Sequence, residues 1–361
     1  MNWYNSAEAP GVPGIVSASQ CRQTAESIAA VQEPSGAIPW SETGHTDPWD
    51  HVECAMALTA AGLIEPARHA FDWCREQQRP DGSWPIQLRS GVVEDANSDS
   101  NFCAYIAVGV WHHVLITGDR AFATAMWPTV RSAIDFVLEL QLEGGEIAWA
   151  RGPSGPVPEA LLTGSASVFH SIRCALALAN YVDEPQPEWE VALGRLGHAI
   201  CAHPWAFTPK PHHSMDWYYP VLGGALRGHA AVARIAERWS DFVVDGLGIR
   251  CVDDRPWVTG AETCELVLAL DAMGTRRTAL ELFAAMQHLR EADGSYWTGL
   301  VFTDGKRWPV ERTTWTGAAV ILAADALSRT TPGSGIFRGT DLPRGLEGDY
   351  DCECVSSPTD R

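Results

Sequence analysis

Six times along this chain a long segment rich in Gly, Pro, Trp and acidic residues runs into an apolar helix, which ends in a short turn before a more amphipathic helix follows. The apolar helices begin near Asp47, Asp99, Thr163, Asp216, Gly260 and Thr313. A recurrence every roughly 50 residues marks a repeat architecture, in which no single unit can bury its own apolar face. Six such hairpins predict a closed ring: an all-α (α/α)6 toroid, with short β-hairpins in the rim loops as one reading of those loops.

The first helix of each pair, as in DPWDHVECAMALTAAG or TTWTGAAVILAADAL, is apolar around most of its circumference. Such a helix must be covered on most sides and belongs in an inner layer. The second carries a one-sided stripe, as in Phe122, Met126, Val130, Ile134, Val137 and Leu138, and belongs outside. Inner-to-outer turns are short and often hold a helix-stopping glycine: Gly62, Gly118, Gly228 and Gly274. Outer-to-inner connections are long, and long loops in a compact domain are usually functional. All the elaboration therefore sits on one rim beside the inner-helix N-termini, where the active site is expected. The segments GAIPW, GEIAW and GSYWTGLVF fit small β-hairpins and irregular loop equally well.

The repeat fills positions from about 17 to 330, so the 361 residues read as one catalytic domain, 1–331, followed by an acidic, poorly ordered tail, 332–361. A formal net charge of −19 with no basic run argues against nucleic acid or an anionic membrane as partner, because phosphate-binding faces concentrate Lys and Arg. No N-terminal apolar export segment and no run of about 20 apolar residues is present. A soluble, cytoplasmic protein is expected, and a homo-oligomer is compatible with the sequence. Cys54, Cys103, Cys174 and Cys264 lie inside apolar helices and read as small core residues, not as a disulfide framework. Cys352 and Cys354 in the tail lack the neighbouring His or Cys of a metal site.

Many of the sixteen tryptophans fall in the rim loops, among them Trp40, Trp49, Trp257, Trp297 and Trp308. A flat apolar ring with one polar handle stacks on sugars, on isoprenoids, or on a neighbouring helix. Carboxylates stand just before or within the first turn of inner helices: Asp47, Asp50, Glu53, Asp95, Asp99, Asp216, Asp253, Asp254, Glu262 and Glu311. Acids there also serve as caps and complement the helix dipole. A closed ring, however, brings acids from distant repeats around one cavity, and paired carboxylates are what glycoside cleavage requires. Three segments concentrate the chemistry: GHTDPWDHVE, HHSMDWYYP and WVTGAETCE. The candidate catalytic pair is Glu262 with Asp47 or Asp50, leaning to Glu262 as acid. Trp49, His51, Asp216, Trp217, Tyr218, Trp257 and Glu311 are the candidate groove residues, Glu311 also being the reserve acid. No GxSxG elbow, phosphate-cradling loop or HExxH motif occurs, and neither a metal nor a cofactor is expected.

The hairpin pattern, with DSNFCAYIAVGVWHHVLITGDRAFATAMWPTVRSAIDFVLELQ and RWPVERTTWTGAAVILAADAL, resembles the six-hairpin glycosidases along nearly the whole chain. Through GHTDPWDHVE and WVTGAETCE it looks more closely like the endo-mannosidases of 3-O-methylmannose polysaccharide. That resemblance implies a glycoside hydrolase cutting internal α-mannosidic bonds, α-1,4 in type, with inversion and with an oligosaccharide or polysaccharide as its partner. QRPDGSWP and EADGSYW also look like the Gln-Trp repeats of prenyltransferases and terpene cyclases, but no DxDD motif accompanies them. A catalytically silent sugar-binding toroid is the third reading.

Overall fold

The computed structural model describes residues 9–344. Its helices are α1 (Ala18–Ala30), α2 (Pro48–Ala60), α3 (Ile64–Gln77), α4 (Ser100–Ala104), α5 (Ile106–Thr117), α6 (Arg120–Leu138), α7 (Leu162–Tyr181), α8 (Pro187–Ala202), α9 (Ser214–Leu222), α10 (Gly228–Phe242), α11 (Gly260–Ala272), α12 (Arg276–Ala285) and α13 (Thr314–Ser328). The six expected inner segments start within two residues of the positions read from the sequence, the second of them divided at Tyr105 into the short α4 and the longer α5. They pack in a closed circuit, α2 to α5 to α7 to α9 to α11 to α13 and back to α2. Burial explains this order. Every residue of α13 from Thr314 to Leu327 is buried, as is every residue of α11 from Gly260 to Asp271, so these helices have neighbours on all sides.

The outer helices bury one stripe each. In α6 this is Ala123, Met126, Trp127, Val130, Ala133, Ile134 and Val137. Gly118 ends α5 in the left-handed region, φ 64°, where a Cβ would be strained. At Gly260 the requirement is space: a Cβ there would stand 2.5 Å from the Thr316 methyl, so glycine lets α11 approach α13.

Two features depart from the sequence reading. No outer helix follows α13 among the described residues; its outer partner is α1, from the opposite end of the chain. The ring therefore closes by pairing the two ends of the repeat. The tail boundary at 332 is also corrected. Ile336, Phe337 and Leu342 are buried, and Arg173 from α7 donates to the carbonyls of Gly339 and Pro343. The chain past α13 thus covers apolar surface and pairs with a buried guanidinium, which a loose tail would not do. The expected disorder of the remainder, and Cys352 and Cys354, lie outside the described residues.

The rim loops do form small antiparallel sheets. One pairs β1 (Gln87–Arg89) with β2 (Val92–Asp95), and a second orders β3 (Ser98–Asp99), β4 (Ala150–Gly152) and β5 (Gly155–Pro156). The third contains β6 (Val243–Val244), β7 (Gly248–Arg250), β8 (Trp257–Thr259), β9 (Gly299–Val301) and β10 (Lys306–Arg307), in the order β10-β9-β8-β7-β6. It fixes the chain immediately before α11. Cys54, Cys103, Cys174 and Cys264 are buried free thiols. No helix among the described residues is long and apolar enough to cross a membrane.

Candidate active site

The first turn of α2 starts the site. Asp47 is its N-cap and accepts the Asp50 amide at 2.9 Å, Pro48 opens the helix, and Asp50 and Glu53 follow at a three-residue interval that sets both on one side. On α11 the same interval separates Glu262 and Glu265. All five acids are buried, Asp50 at 9% and Glu262 at 6% exposure. In the ring α2 and α11 flank α13, so the two acid-bearing walls are neighbours but one and not diametrically opposed. From α13 between them, the Trp315 indole donates to Glu53 at 3.3 Å.

The floor is aromatic. Trp49 lies 5.8 Å from Phe102, 5.9 Å from Tyr105 and 5.8 Å from Tyr219, ring centre to ring centre. Because α9 stands across the ring from α2, the Trp49 to Tyr219 contact closes the centre to open passage. Tyr218 and Tyr219 each donate a hydroxyl hydrogen to Glu265, the Tyr219 bond measuring 2.6 Å. Higher on the rim, the Trp40 indole donates to Glu311 at 2.9 Å and its ring stacks on His45, whose Nε2 is 3.8 Å from Asp47 Oδ2.

Burial controls the electrostatics of this cluster. Asp50 is held well above the usual carboxylate range, first by loss of water and then by the neighbouring Asp47, Glu53 and Glu265. Glu265 is raised strongly by burial and by Glu53, against the two tyrosine hydroxyls that favour its anion. Burial pushes Glu53 up to about 8, with the Trp315 hydrogen bond opposing. Asp47 is raised by burial too, while its hydrogen bonds with Asp50 and the nearby His45 work in the other direction. Burial therefore favours the protonated forms of Asp50, Glu53 and Glu265, although the acids stand near helix N-termini, whose dipoles favour anions. Buried polar atoms without a protein partner occur on the first turns of three other inner helices: Asn101 Oδ1 on α4, Ser165 Oγ on α7 and Ser214 Oγ on α9. Such groups call for an outside hydrogen-bonding partner, and a hydroxyl-rich ligand supplies one.

The other residues expected at the site distribute unevenly. Tyr218 and Trp49 join the cluster. His51 does not: its Nδ1 accepts the Ile38 amide at 3.0 Å, its Nε2 bonds the Ala70 carbonyl at 2.9 Å, and it is fully buried against Trp73 between α2 and α3. Trp217 also turns outward, stacking on Phe242 and donating to the Arg234 carbonyl of α10. Asp216 accepts from Thr163 at 2.6 Å and ties α9 to α7 beside a separate cavity of about 290 Å³ near His213 and Arg238. Trp257 is a rim residue that donates to the Trp308 carbonyl, and Glu311 is rim-placed as well. Asp99 caps α4 and Asp95 caps a turn, while Asp253 pairs with Arg238. Tyr219 belongs to the HHSMDWYYP segment read as chemistry-bearing, whereas Glu265 was not singled out from the sequence. Its signal was an acid inside an otherwise apolar helix, one turn beyond Glu262.

No family model matches the chain. It is 78% identical over 348 residues to the MMP endo-(1,4)-3-O-methyl-α-D-mannosidase of Mycolicibacterium hassiacum, covering 96% of this chain and 97% of that one. Solved structures with the same toroid include a glycosidase in complex with glucose, 15% identical with a TM-score of 0.65, covering 88% of this chain and 96% of that one. They also include a D-mannose isomerase, 11% identical with a TM-score of 0.65, covering 89% and 100%. The structural likenesses carry the ring alone, since an isomerase shares it. The prenyltransferase alternative falls with the sequence identity. Buried acids on two walls, the six-hairpin ring and near full-length identity agree, and the chain belongs to the glycoside hydrolase family of MMP endo-(1,4)-3-O-methyl-α-D-mannosidase.

Proposed function

We propose that this enzyme cleaves internal α-1,4 bonds of a 3-O-methylmannose polysaccharide with inversion, using Asp50 and Glu262. The observation that carries the proposal is the convergence of two buried carboxylates from separate helices, α2 and α11, beside shared neighbours. Burial and the neighbouring Asp47, Glu53 and Glu265 disfavour ionisation of Asp50, so it keeps a proton and serves as general acid to the leaving oxygen. Glu262 then takes the proton of the attacking water as general base. This reverses the leaning drawn from sequence, because relative burial and neighbouring charge decide such roles. Asp47 is already occupied as the cap of α2; beside Asp50 its charge discourages ionisation of the acid. An endo enzyme binds sugars on both sides of the bond it cuts, and Trp49 offers an apolar ring next to the acids.

The test compares Asp50→Asn and Glu262→Gln on a methylmannose oligosaccharide and on an oligomannoside with a dinitrophenolate leaving group. Both variants should lose about 10²–10⁴-fold on the natural substrate. Asp50→Asn should recover on the activated one, whose leaving group needs no proton, and Glu262→Gln should not. Unchanged turnover in both variants refutes the pair, and recovery by Glu262→Gln alone reverses the roles. Appearance of the α-anomer as first product in NMR would refute inversion.

A further inference from the structure

A groove of about 720 Å³ lies on the shoulder of the toroid, between the C-terminal half of α1, the 41–43 loop and the chain leading into α13. It does not contain the acid cluster. Glu311 borders it and is bonded by Trp40, which stacks on His45 beside Asp47, so one layer of side chains separates groove from acids. Its volume falls in the range that encloses a ligand of several rings.

The lining combines two chemistries. Glu26 and Glu311 present acceptors suited to sugar hydroxyls. Trp297 is clamped for stacking: its indole donates to Glu291 at 2.5 Å, and the Arg312 guanidinium lies 5.8 Å from the ring centre while pairing with Asp293. Val310, at 82%, is the most exposed large hydrophobic side chain recorded among the described residues, and no apolar protein neighbour accounts for it. An ordinary mannan is a poor match for an apolar edge, whereas an O-methylated one carries methyl groups that prefer it.

We propose that this groove is a distal subsite holding an uncleaved, O-methylated stretch of the polysaccharide, with Val310 meeting the methyl groups and Trp297 a sugar face. The assignment rests on the substrate class argued above. It makes the enzyme favour long, methylated chains over short ones through binding, leaving the chemical step unaltered.

Val310→Asp and Thr43→Arg test it, the first removing the apolar edge and the second filling the groove from an exposed loop position. Steady-state kinetics are measured for each on a methylated tetrasaccharide and on a methylated dodecasaccharide. Relative to wild type, KM for the dodecasaccharide should rise about tenfold, the scale of withdrawing a valine from apolar contact, with kcat and the tetrasaccharide unaffected. Equal effects on both lengths, or no effect on either, overturn the subsite. Failure of the wild type to cleave either compound instead overturns the substrate reading itself, so the two failures are distinguishable. Unchanged melting temperatures confirm that the variants fold.

Discussion

Tyr219→Phe isolates one hydrogen bond at the centre of the ring. The hydroxyl donates to Glu265 Oε1 at 2.6 Å, and its ring packs edge-on against Trp49. Phenylalanine keeps the ring contacts and removes only the donor. A buried carboxylate oxygen is then left unpaired, which costs about 2 kcal/mol. A chain of 361 residues unfolds with an entropy of about 0.75 kcal/mol per kelvin near 60 °C, so the melting temperature should fall by about 2–3 °C. Glu265→Gln makes the contrasting change. The amide still accepts from Tyr219 and can donate to the Tyr218 oxygen, and it removes an ionisable group from beside Asp50 and Glu53. Its melting temperature at pH 8 should equal or exceed that of the wild type, because the amide is a neutral isostere of the protonated carboxyl and cannot ionise beside Asp50 and Glu53. Differential scanning calorimetry of both variants at pH 8 decides the matter. Equal losses in the two would show that the tyrosine and glutamate matter only as packing, and the hydrogen-bond argument would be wrong.

Stability should fall as pH rises from about 6.5 to 8. Glu53 and Asp99 have folded values pushed up to about 8 and about 7 by burial, above those of an unfolded chain, so the native state binds more protons across that window. Their contribution is complete below the unfolded values and lost as pH climbs through the folded ones. Groups with lowered folded values act in the opposite sense below that window: His51, His112 and His113, kept neutral by burial, up to about pH 6.5, and Asp119 and Asp293, held low by the Phe122 amide and the Ser295 hydroxyl, at still lower pH. Thermal melts at pH 6.5 and pH 8 should show the lower value at pH 8, and Glu53→Gln should flatten the slope; a flat wild-type profile across that window contradicts the reading. His51→Phe should lose about 2–4 kcal/mol of stability, since it strips partners from the Ile38 amide and the Ala70 carbonyl. KM measured below its melting transition should stay unchanged, and a raised KM without lost stability would return His51 to the groove.

The inner helices could be read from the sequence because their apolar runs are bounded by caps: Asp47 before Pro48, Asp99 before α4 and Thr313 before α13 all accept first-turn amides. Closure through α1 could not, since nothing local in residues 18–30 names α13 as partner. Side-chain direction at the site was the harder loss. A helix buried all around has no polar stripe to show which way His51, Trp217 or Glu265 points. His51 and Asp50 are adjacent in sequence yet lie on different sides of α2, one against α3 and the other among the acids. An acid deep in an apolar helix was nonetheless a usable sign, because carboxylates are almost never fully buried without partners. Glu53 and Glu265 both fit that description, and both have found indole or phenol donors.

The two acid-bearing helices repeat one device. Each places a carboxylate on its first turn, Asp50 or Glu262, and another a turn deeper, Glu53 or Glu265. The upper acids reach the sugar in the proposed reaction; the lower ones, bonded to Trp315, Tyr218 and Tyr219, stay with the protein. Glycoside cleavage needs one carboxyl protonated and another ionised at the same pH. Lower acids affect the upper ones unequally: Asp50 experiences both Glu53 and Glu265 as repulsive neighbours on top of its own burial. Much of that inequality arises within α2 itself, where Asp47 and Glu53 both stand beside the buried Asp50. Packing α2 and α11 on either side of α13 adds to it, by bringing Glu265, the deep carboxylate of α11, within range of Asp50, the shallow carboxylate of α2. The toroid therefore contributes to the chemistry more than a frame for rim loops, because ring packing adds burial and a carboxylate from a second helix to the neighbours that already hold the Asp50 proton.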